Sequence, residues 1–121
     1  MINGAHTIMY AEDAAAARKF FAEVLGWPSV DAGRGWLIFA LPPGEIAAHP
    51  TEDGEASGSC ELYLMCDDVH KTVAELKGKG VEFTEGVTDA GWGLLTRLKV
   101  PGAGIVGLYQ PRHPIAAGMK V

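Results

Sequence analysis

The sequence predicts an α+β fold made of two βαβββ modules. One observation is the order of elements: a strand, an amphipathic helix and three short strand candidates follow one another twice along the chain. The other is an internal duplication, because the acidic pair at 12–13 corresponds to the pair at 67–68 with an offset of 55, and the Gly-Trp pair at 35–36 corresponds to that at 91–92 with an offset of 56. Three strand candidates after the first helix argue against a ferredoxin-like βαββαβ domain.

The chain length limits the number of domains. Its 121 residues suffice for one hydrophobic core but are too few for two independent ones. We therefore predict a single domain over 1–121. Its parts are module one at 1–50, a polar linker at 51–59, module two at 60–113 and a tail at 114–121.

The first module opens with the apolar run AHTIMYA, a predicted strand that ends at Glu12 and Asp13. Asp13 is a favourable N-cap for a helix over 14–25, in which apolar side chains form one stripe before Gly26 stops the helix. Three strand candidates follow, separated by Gly and Pro signals. They are WPSVDA, GWLIFAL and EIAAHP.

The second module repeats this order. ELYLMC is its opening strand, and Asp68 predicts the N-cap of a helix that ends at Gly78 or Gly80. The three strand candidates that follow are VEFTEGV, WGLLTRLKV and GIVGLYQP. Cys60 and Cys66 lie too far apart along one strand for a disulfide, and we predict that both are buried thiols.

Composition and charge exclude several classes of partner. The net charge of −5, the pI of about 5.2 and the lack of a Lys and Arg cluster argue against nucleic-acid binding. No apolar run reaches the ~20 residues that span a bilayer, and the N-terminal sequence does not resemble a signal peptide. We therefore expect a cytoplasmic protein with neither a nucleic-acid nor a membrane partner.

His6 and Glu61 stand at equivalent positions of the two halves, each at the start of its module's first strand. If the modules pair about a pseudo-twofold axis, these two side chains converge on one central site. Both residue types bind divalent metals, His through nitrogen and Glu through oxygen. The alternative is that both are ordinary polar residues at strand ends.

The stretches HTIMYAEDAAAARKFFAEVLGW and GWGLLTRLKVPGAGIVGLYQP resemble the opening and closing parts of the vicinal oxygen chelate superfamily. That superfamily includes glyoxalase I, bleomycin-resistance proteins, fosfomycin-resistance enzymes and extradiol dioxygenases. The resemblance covers residues 4–112. It implies two βαβββ modules that form a cupped, incomplete barrel-like sheet around a small-molecule site, often with a divalent metal. It also implies a homodimer.

The resemblance places metal ligands on the first and last strands of each module. His6 matches the first of these positions, and Glu61 falls where the family more often has His. Ala47 and Gly107 stand where the family has closing-strand carboxylates, and neither side chain can bind a metal. His49 lies two residues beyond Ala47 on the same strand face, so it is a candidate substitute ligand.

Two functions compete at this stage. The leading hypothesis is a metal-free protein that binds an antibiotic or metabolite in the cup. The rival is a lyase, isomerase or dioxygenase in which His6, Glu61 and His49 hold Ni, Zn, Mn or Fe, and Glu61 or a metal-bound water exchanges protons. Whether the chain is an enzyme is left open. In either case the predicted ligand-binding residues are Tyr63, Met65, Trp92, Arg97 and Tyr109.

Trp36, His70 and His113 are predicted to lie outside the site. Trp36 and Trp92 occupy matching positions in the two halves, and we predict that Trp36 is a core anchor whereas Trp92, flanked by glycines, is a cavity wall. His70 and His113 are predicted to be exposed to solvent.

Overall fold

The computed structural model describes residues 7–9, 11–45, 47, 56–57, 59–115 and 117–118. Within them the chain forms two helices and six strands. In chain order these are α1 Ala14–Glu23, β1 Ser29–Asp31, β2 Leu37–Phe39, β3 Tyr63–Met65, α2 Val69–Gly78, β4 Thr88–Asp89, β5 Gly93–Val100 and β6 Gly104–Pro111.

The strands form two sheets. In the first, β1 and β2 pair antiparallel, and in the second the strand order is β3-β6-β5-β4. The opening strand of the second module, β3, runs parallel to β6, whereas the other neighbours in this sheet are antiparallel. Within the described residues neither sheet closes into a barrel. The predicted α+β fold with an open, cupped sheet is therefore confirmed.

Both predicted N-caps are present. The Asp13 carboxylate accepts a hydrogen bond from the Ala16 amide at 3.0 Å, and Asp68 does the same for the Lys71 amide at 3.1 Å. Each bond satisfies one of the backbone N–H groups that the first turn of a helix leaves without a partner. The first helix ends at Glu23, slightly before the predicted residue 25.

The C-terminus of α2 shows why Gly80 follows it. Gly80 has a φ of 86°, which places it in the left-handed region that favours glycine. This turn lets the amide of Val81 bond the carbonyl of Leu76, and the amide of Gly80 bond the carbonyl of Lys77, each at 3.0 Å. Leu76 and Val81 are both buried, so the turn also brings the start of the following segment into the core.

The hydrophobic core lies between the helices and one face of the four-stranded sheet. Leu98 of β5 is fully buried there, and Val106 and Leu108 of β6 are each 3% exposed. Because side chains alternate across a strand, the neighbours of Leu98 in β5 and of Val106 and Leu108 in β6 point to the other face of the sheet. The remaining buried members of the core are Ala17, Phe20, Val69, Leu76, Val81 and Val100.

Some predicted strands differ from those observed. The segment VEFTEGV forms only a single bridge, between Phe83 and Leu98, and strand β4 follows it at Thr88–Asp89. In AHTIMYA, residues 7–9 are described and lie outside the strands, as do Glu45 and Ala47 in EIAAHP. The rest of these two candidates lies outside the described residues, including both predicted metal ligands, His6 and His49.

Two burial predictions are wrong. Cys60 is exposed and Cys66 is half-buried, so the two thiols are not both core residues; neither forms a disulfide. Trp36, which precedes β2, is 68% exposed rather than a core anchor, and its ring packs against the guanidinium of Arg18, whose carbon lies 5.3 Å from the ring centroid.

Candidate functional site

The candidate site is the side of the four-stranded sheet opposite the helices, here called the helix-free face, which carries Tyr63, Arg97 and Tyr109. In the register of the sheet, Gly107 of β6 stands between Tyr63 of β3 and Arg97 of β5. Next along the same strands, Tyr109 stands between Met65 and Leu95. Three neighbouring strands therefore contribute side chains to one surface.

Gly107 makes room for the ring of Tyr63. A Cβ atom at position 107 would overlap the ring atoms of Tyr63, so no other residue fits without displacing that ring. The ring crosses Gly107 towards the next strand, where its hydroxyl accepts a hydrogen bond from Nη2 of Arg97 at 3.1 Å. The glycine thus fixes the position of the tyrosine.

Gly93 supports Tyr109 in the same way. A Cβ atom at position 93 would lie 2.9 Å from Cδ2 of Tyr109 and 2.8 Å from the carbonyl oxygen of Gln110. These distances are shorter than van der Waals contact, so the ring of Tyr109 occupies the space that a side chain would need. Two glycines of the sheet therefore each seat a tyrosine ring.

Tyr63, Trp92 and Tyr109 form an aromatic triad. The centroid distances are 5.9 Å for Tyr63 and Trp92, 6.0 Å for Tyr63 and Tyr109, and 5.0 Å for Trp92 and Tyr109, all with edge-to-face geometry. Such geometry is favourable because the positive edge of one ring meets the negative face of another. Trp92 is 39% exposed whereas Tyr109 is 7% exposed, so the indole presents the triad to solvent.

A chain of polar groups flanks the triad. The hydroxyl of Tyr63 donates to Oε2 of Glu61 at 2.8 Å, and Nη1 of Arg97 donates to Oε1 of Glu85 at 3.3 Å. Burial raises the pKa of Tyr63, and the hydrogen bond to Glu61 raises it further, so the phenol remains a neutral donor at neutral pH. Burial works to lower the pKa of Arg97, but its bonds to Glu85 and Tyr63 raise it overall.

A second polar cluster lies at the other end of the triad. The hydroxyl of Tyr109 is 3.1 Å from Nε2 of His113 and 3.5 Å from Oε1 of Glu45, and the imidazole stacks on the tyrosine ring with centroids 5.8 Å apart. Oε2 of Glu45 accepts a hydrogen bond from the Ala117 amide at 2.9 Å. Burial and then the neighbouring Glu45 raise the pKa of Tyr109. His113 is half-buried, so the prediction that it is solvent-exposed is wrong.

Most of the predicted site residues come together on the helix-free face. Glu61, Tyr63, Arg97, Trp92 and Tyr109 are joined by the contacts above, and half-buried Met65 is the register partner of Tyr109. His6 and His49 lie outside the described residues. The roles of all eight residues as ligands, catalysts or contacts stay predictions.

The described residues do not fit a metal ion. Among them, no three His, Cys, Asp or Glu side chains are grouped closely enough to hold one. Gly107 stands where the resemblance expects a carboxylate, and the ring of Tyr63 fills the space beside it. A metal-binding side chain at position 107 would have to displace the ring of Tyr63 and therefore disrupt the triad.

Sequence reasoning missed the contacts of Glu45 and His113. It also missed that Gly93 and Gly107 make room for tyrosine rings. Glu45 lies 64 residues before Tyr109, and nothing in the strand candidate EIAAHP indicates their contact. A tyrosine that faces a glycine on a paired strand could have indicated that the tyrosine ring packs over Gly107. This pattern becomes visible only when the strand register is known.

One cavity in the described part of the chain is too small for an organic ligand. It measures about 10 Å³, roughly the space of one water molecule. It lies in the apolar core between α1 and the sheet, and its lining includes Phe20, Leu62 and Leu98. In the same part of the chain, the helices are too short and too polar to cross a membrane.

Comparison with known proteins agrees with this architecture. The family model described as Glyoxalase/Bleomycin resistance protein/Dioxygenase superfamily matches residues 4–101. A search among curated proteins found no match.

The solved structures similar to the chain include two from Streptomyces sp. CB03234 and one from Agrobacterium tumefaciens. TnmS3, an antibiotic binding protein from Streptomyces sp. CB03234, is 25% identical with a TM-score of 0.61, over 92% of this chain and 99% of that one. A glyoxalase/bleomycin resistance protein from the same organism is 27% identical with a TM-score of 0.56, over 84% and 95%. Lactoylglutathione lyase from Agrobacterium tumefaciens is 17% identical with a TM-score of 0.62, over 87% and 90%, which supports the fold alone.

Proposed function

Because the chain belongs to the Glyoxalase/Bleomycin resistance protein/Dioxygenase superfamily, we propose that it binds a small organic molecule on its helix-free face. The observation that carries this proposal is the aromatic triad of Tyr63, Trp92 and Tyr109. Its rings are held by contacts with the sheet and with one another, and the indole is partly exposed. Preorganised aromatic side chains bind apolar ligand surface at little conformational cost.

The polar groups around the triad suit the orientation of such a ligand. Arg97 is a hydrogen-bond donor that stays charged, and Glu61 is an exposed acceptor beside the ring of Tyr63. Met65 adds a flexible apolar side chain on the same strand. A mainly apolar surface with a few polar groups is typical of small-molecule sites.

An antibiotic is the ligand class that the relatives favour. TnmS3 is an antibiotic binding protein, and the two chains align over nearly their whole lengths. In this proposal the protein sequesters its ligand and needs no metal to do so.

The metal-dependent lyase, isomerase or dioxygenase of the rival hypothesis is less well supported. Members of the superfamily often bind divalent metals, and His6 and His49 remain candidate ligands. However, the closing-strand position at Gly107 offers no donor, and Glu61 is hydrogen-bonded to Tyr63. We therefore propose no reaction step.

The proposal is tested by replacing one tryptophan at a time. We would titrate the protein with 1-naphthol, 1-naphthylmethylammonium and 1-naphthoate, which share a planar ring system and differ in charge, and follow backbone amide shifts by NMR. Shifts should concentrate at Tyr63, Trp92, Arg97 and Tyr109. Trp92→Ala should weaken binding about ten-fold or more, which is ~1.4 kcal/mol. Trp36→Ala removes an exposed indole of the first module and is the matched control.

Two outcomes would contradict the proposal. One is that Trp36→Ala and Trp92→Ala weaken probe binding equally, since the triad would then not be the site. The other comes from elemental analysis of protein dialysed against Ni, Zn, Mn and Fe(II) in turn. About one metal per chain, lost on Glu61→Ala, would favour the metal-dependent alternative.

We also propose that the protein is a homodimer. Val30 and Ile38 are cross-strand partners in the β1-β2 pair, and they are 66% and 41% exposed. Two adjacent exposed aliphatic side chains are consistent with a surface that a second copy covers. Light scattering should give twice the monomer mass of 12.8 kDa for the wild type and a smaller mass for Ile38→Asp. A monomeric wild type would contradict this proposal.

A further inference from the structure

We propose that the ligand of the helix-free face carries a protonated amine beside its apolar ring system, and that this ammonium group binds at the carboxylate of Glu61. The inference rests on the proposed function, because it names the chemical class of the ligand that the aromatic triad binds. It follows from the directions of the hydrogen bonds around Tyr63 and from the pairing of the charged side chains on the same face.

Arg97 fixes the direction of the hydrogen bonds that end at Glu61. A guanidinium can only donate, so the bond of 3.1 Å from Nη2 of Arg97 makes the hydroxyl oxygen of Tyr63 an acceptor. The single proton of this hydroxyl is then directed to Oε2 of Glu61, 2.8 Å away. A carboxylate only accepts hydrogen bonds and has room for several. A ligand group that binds at Glu61 therefore has to be a donor.

The basic side chains of β5, and the one that directly follows β6, are each paired with a carboxylate. The ion pairs are Arg97–Glu85 at 3.3 Å, Lys99–Glu82 at 3.3 Å and Arg112–Asp89 at 2.7 Å. Glu61 takes no part in these pairs, and within the described part of the chain its carboxylate is bonded to the neutral phenol of Tyr63. The charge that lacks a counterion beside this tyrosine is therefore negative.

The carboxylate and the aromatic rings favour the same kind of ligand group. Glu61 is exposed, and Tyr63 connects it to the triad because the tyrosine ring packs edge-to-face with Trp92 at 5.9 Å. The faces of aromatic rings carry partial negative charge and attract cations. A planar ligand on the triad therefore gains affinity from a positive group next to Glu61 and loses affinity from a negative one.

The test compares two probes of nearly equal size that differ in charge, 1-naphthylmethylammonium and 1-naphthylmethanol. At neutral pH and low ionic strength, the wild type should bind the ammonium about five-fold more tightly than the alcohol, as expected for an exposed charge pair. Glu61→Gln removes the charge but keeps an acceptor for the hydroxyl of Tyr63, so the two probes should then bind about equally.

Glu75→Gln is the matched control. It removes the same charge from an exposed position of α2, on the other side of the sheet, and the preference for the ammonium should stay at its wild-type value. A second measurement needs no variant. Salt screens an exposed charge pair, so the preference of the wild type should largely disappear at about 1 M NaCl.

The outcomes separate this inference from the proposed function. Tighter binding of 1-naphthoate than of 1-naphthylmethylammonium would overturn the inference and make Arg97 the charged contact. Equal binding of the ammonium and the alcohol to the wild type, or a preference that persists in Glu61→Gln, would also overturn it. In each of these cases the proposed function stands if the probes still shift the amides of the triad. If no probe shifts them, both proposals are wrong.

Discussion

The two faces of the four-stranded sheet use opposite means to hold their side chains. On the helix side, Leu98 and its neighbours fill space with aliphatic volume and exclude water. On the helix-free face, Gly93 and Gly107 have no side chain, and that missing volume seats the rings of Tyr109 and Tyr63. Stability therefore depends on added side-chain volume on one face, whereas the geometry of the candidate site depends on missing side-chain volume on the other.

The largest expected effect lies on the helix side. Leu98→Ala removes a fully buried side chain and leaves a cavity, so the free energy of unfolding should fall by about 3 kcal/mol. Urea unfolding measures this change. Ile105→Ala removes a side chain that is 55% exposed on the other face, and its effect should stay within about 0.5 kcal/mol. Equal losses in the two variants would mean that the two faces do not differ in this way.

On the helix-free face, the addition of a single methyl group at Gly107 should destabilise the folded protein. Gly107→Ala forces the ring of Tyr63 away from the sheet, and we expect a loss of about 2 kcal/mol in the free energy of unfolding. Gly86→Ala is the matched control, because a Cβ atom there meets nothing within 4 Å. In a Tyr63→Ala background Gly107→Ala should cost much less, since the clash is gone. If its cost is unchanged in that background, the glycine has another role.

Removing only the hydroxyl of Tyr63 should have a smaller effect. Tyr63→Phe keeps the ring and its packing on Trp92, but it removes the bonds to Glu61 and Arg97. We expect a loss of about 1 kcal/mol in the free energy of unfolding, because these partners are accessible enough to bond water instead. The near-ultraviolet circular dichroism of the triad should hardly change. A large change in this spectrum would show that the hydroxyl of Tyr63, rather than the space at Gly107, positions the ring.

The smallest expected effect is that of alkaline pH. Burial raises the pKa of Tyr63 in the folded protein, so the unfolded state loses this proton at a lower pH than the folded state does. The resulting stability is fully present below about pH 10, the ordinary tyrosine value, and is lost as the pH rises through the higher folded value. The wild type should therefore lose stability above this pH more steeply than Tyr63→Phe. If the wild type and Tyr63→Phe lost stability in parallel above this pH, the raised pKa of Tyr63 would be contradicted.

Local patterns predicted the parts of the fold that depend on neighbouring residues. Asp13 and Asp68 were identifiable as N-caps because a cap bonds an amide only three residues away. Alternation along ELYLMC placed Glu61 and Tyr63 on one face because side chains of a strand alternate. Trp36 and His113 were predicted wrongly, since their burial depends on elements distant in the sequence.

The sequence alone predicted the α+β class, both helices with their caps, and which residues share a face of ELYLMC. These follow from interactions within a few residues. Only the tertiary structure decided that Tyr63 lies over Gly107 and that Tyr109 meets both Glu45 and His113. Those contacts depend on strand register and on where the tail crosses the first module, and both are set by packing of the whole domain rather than by any local preference.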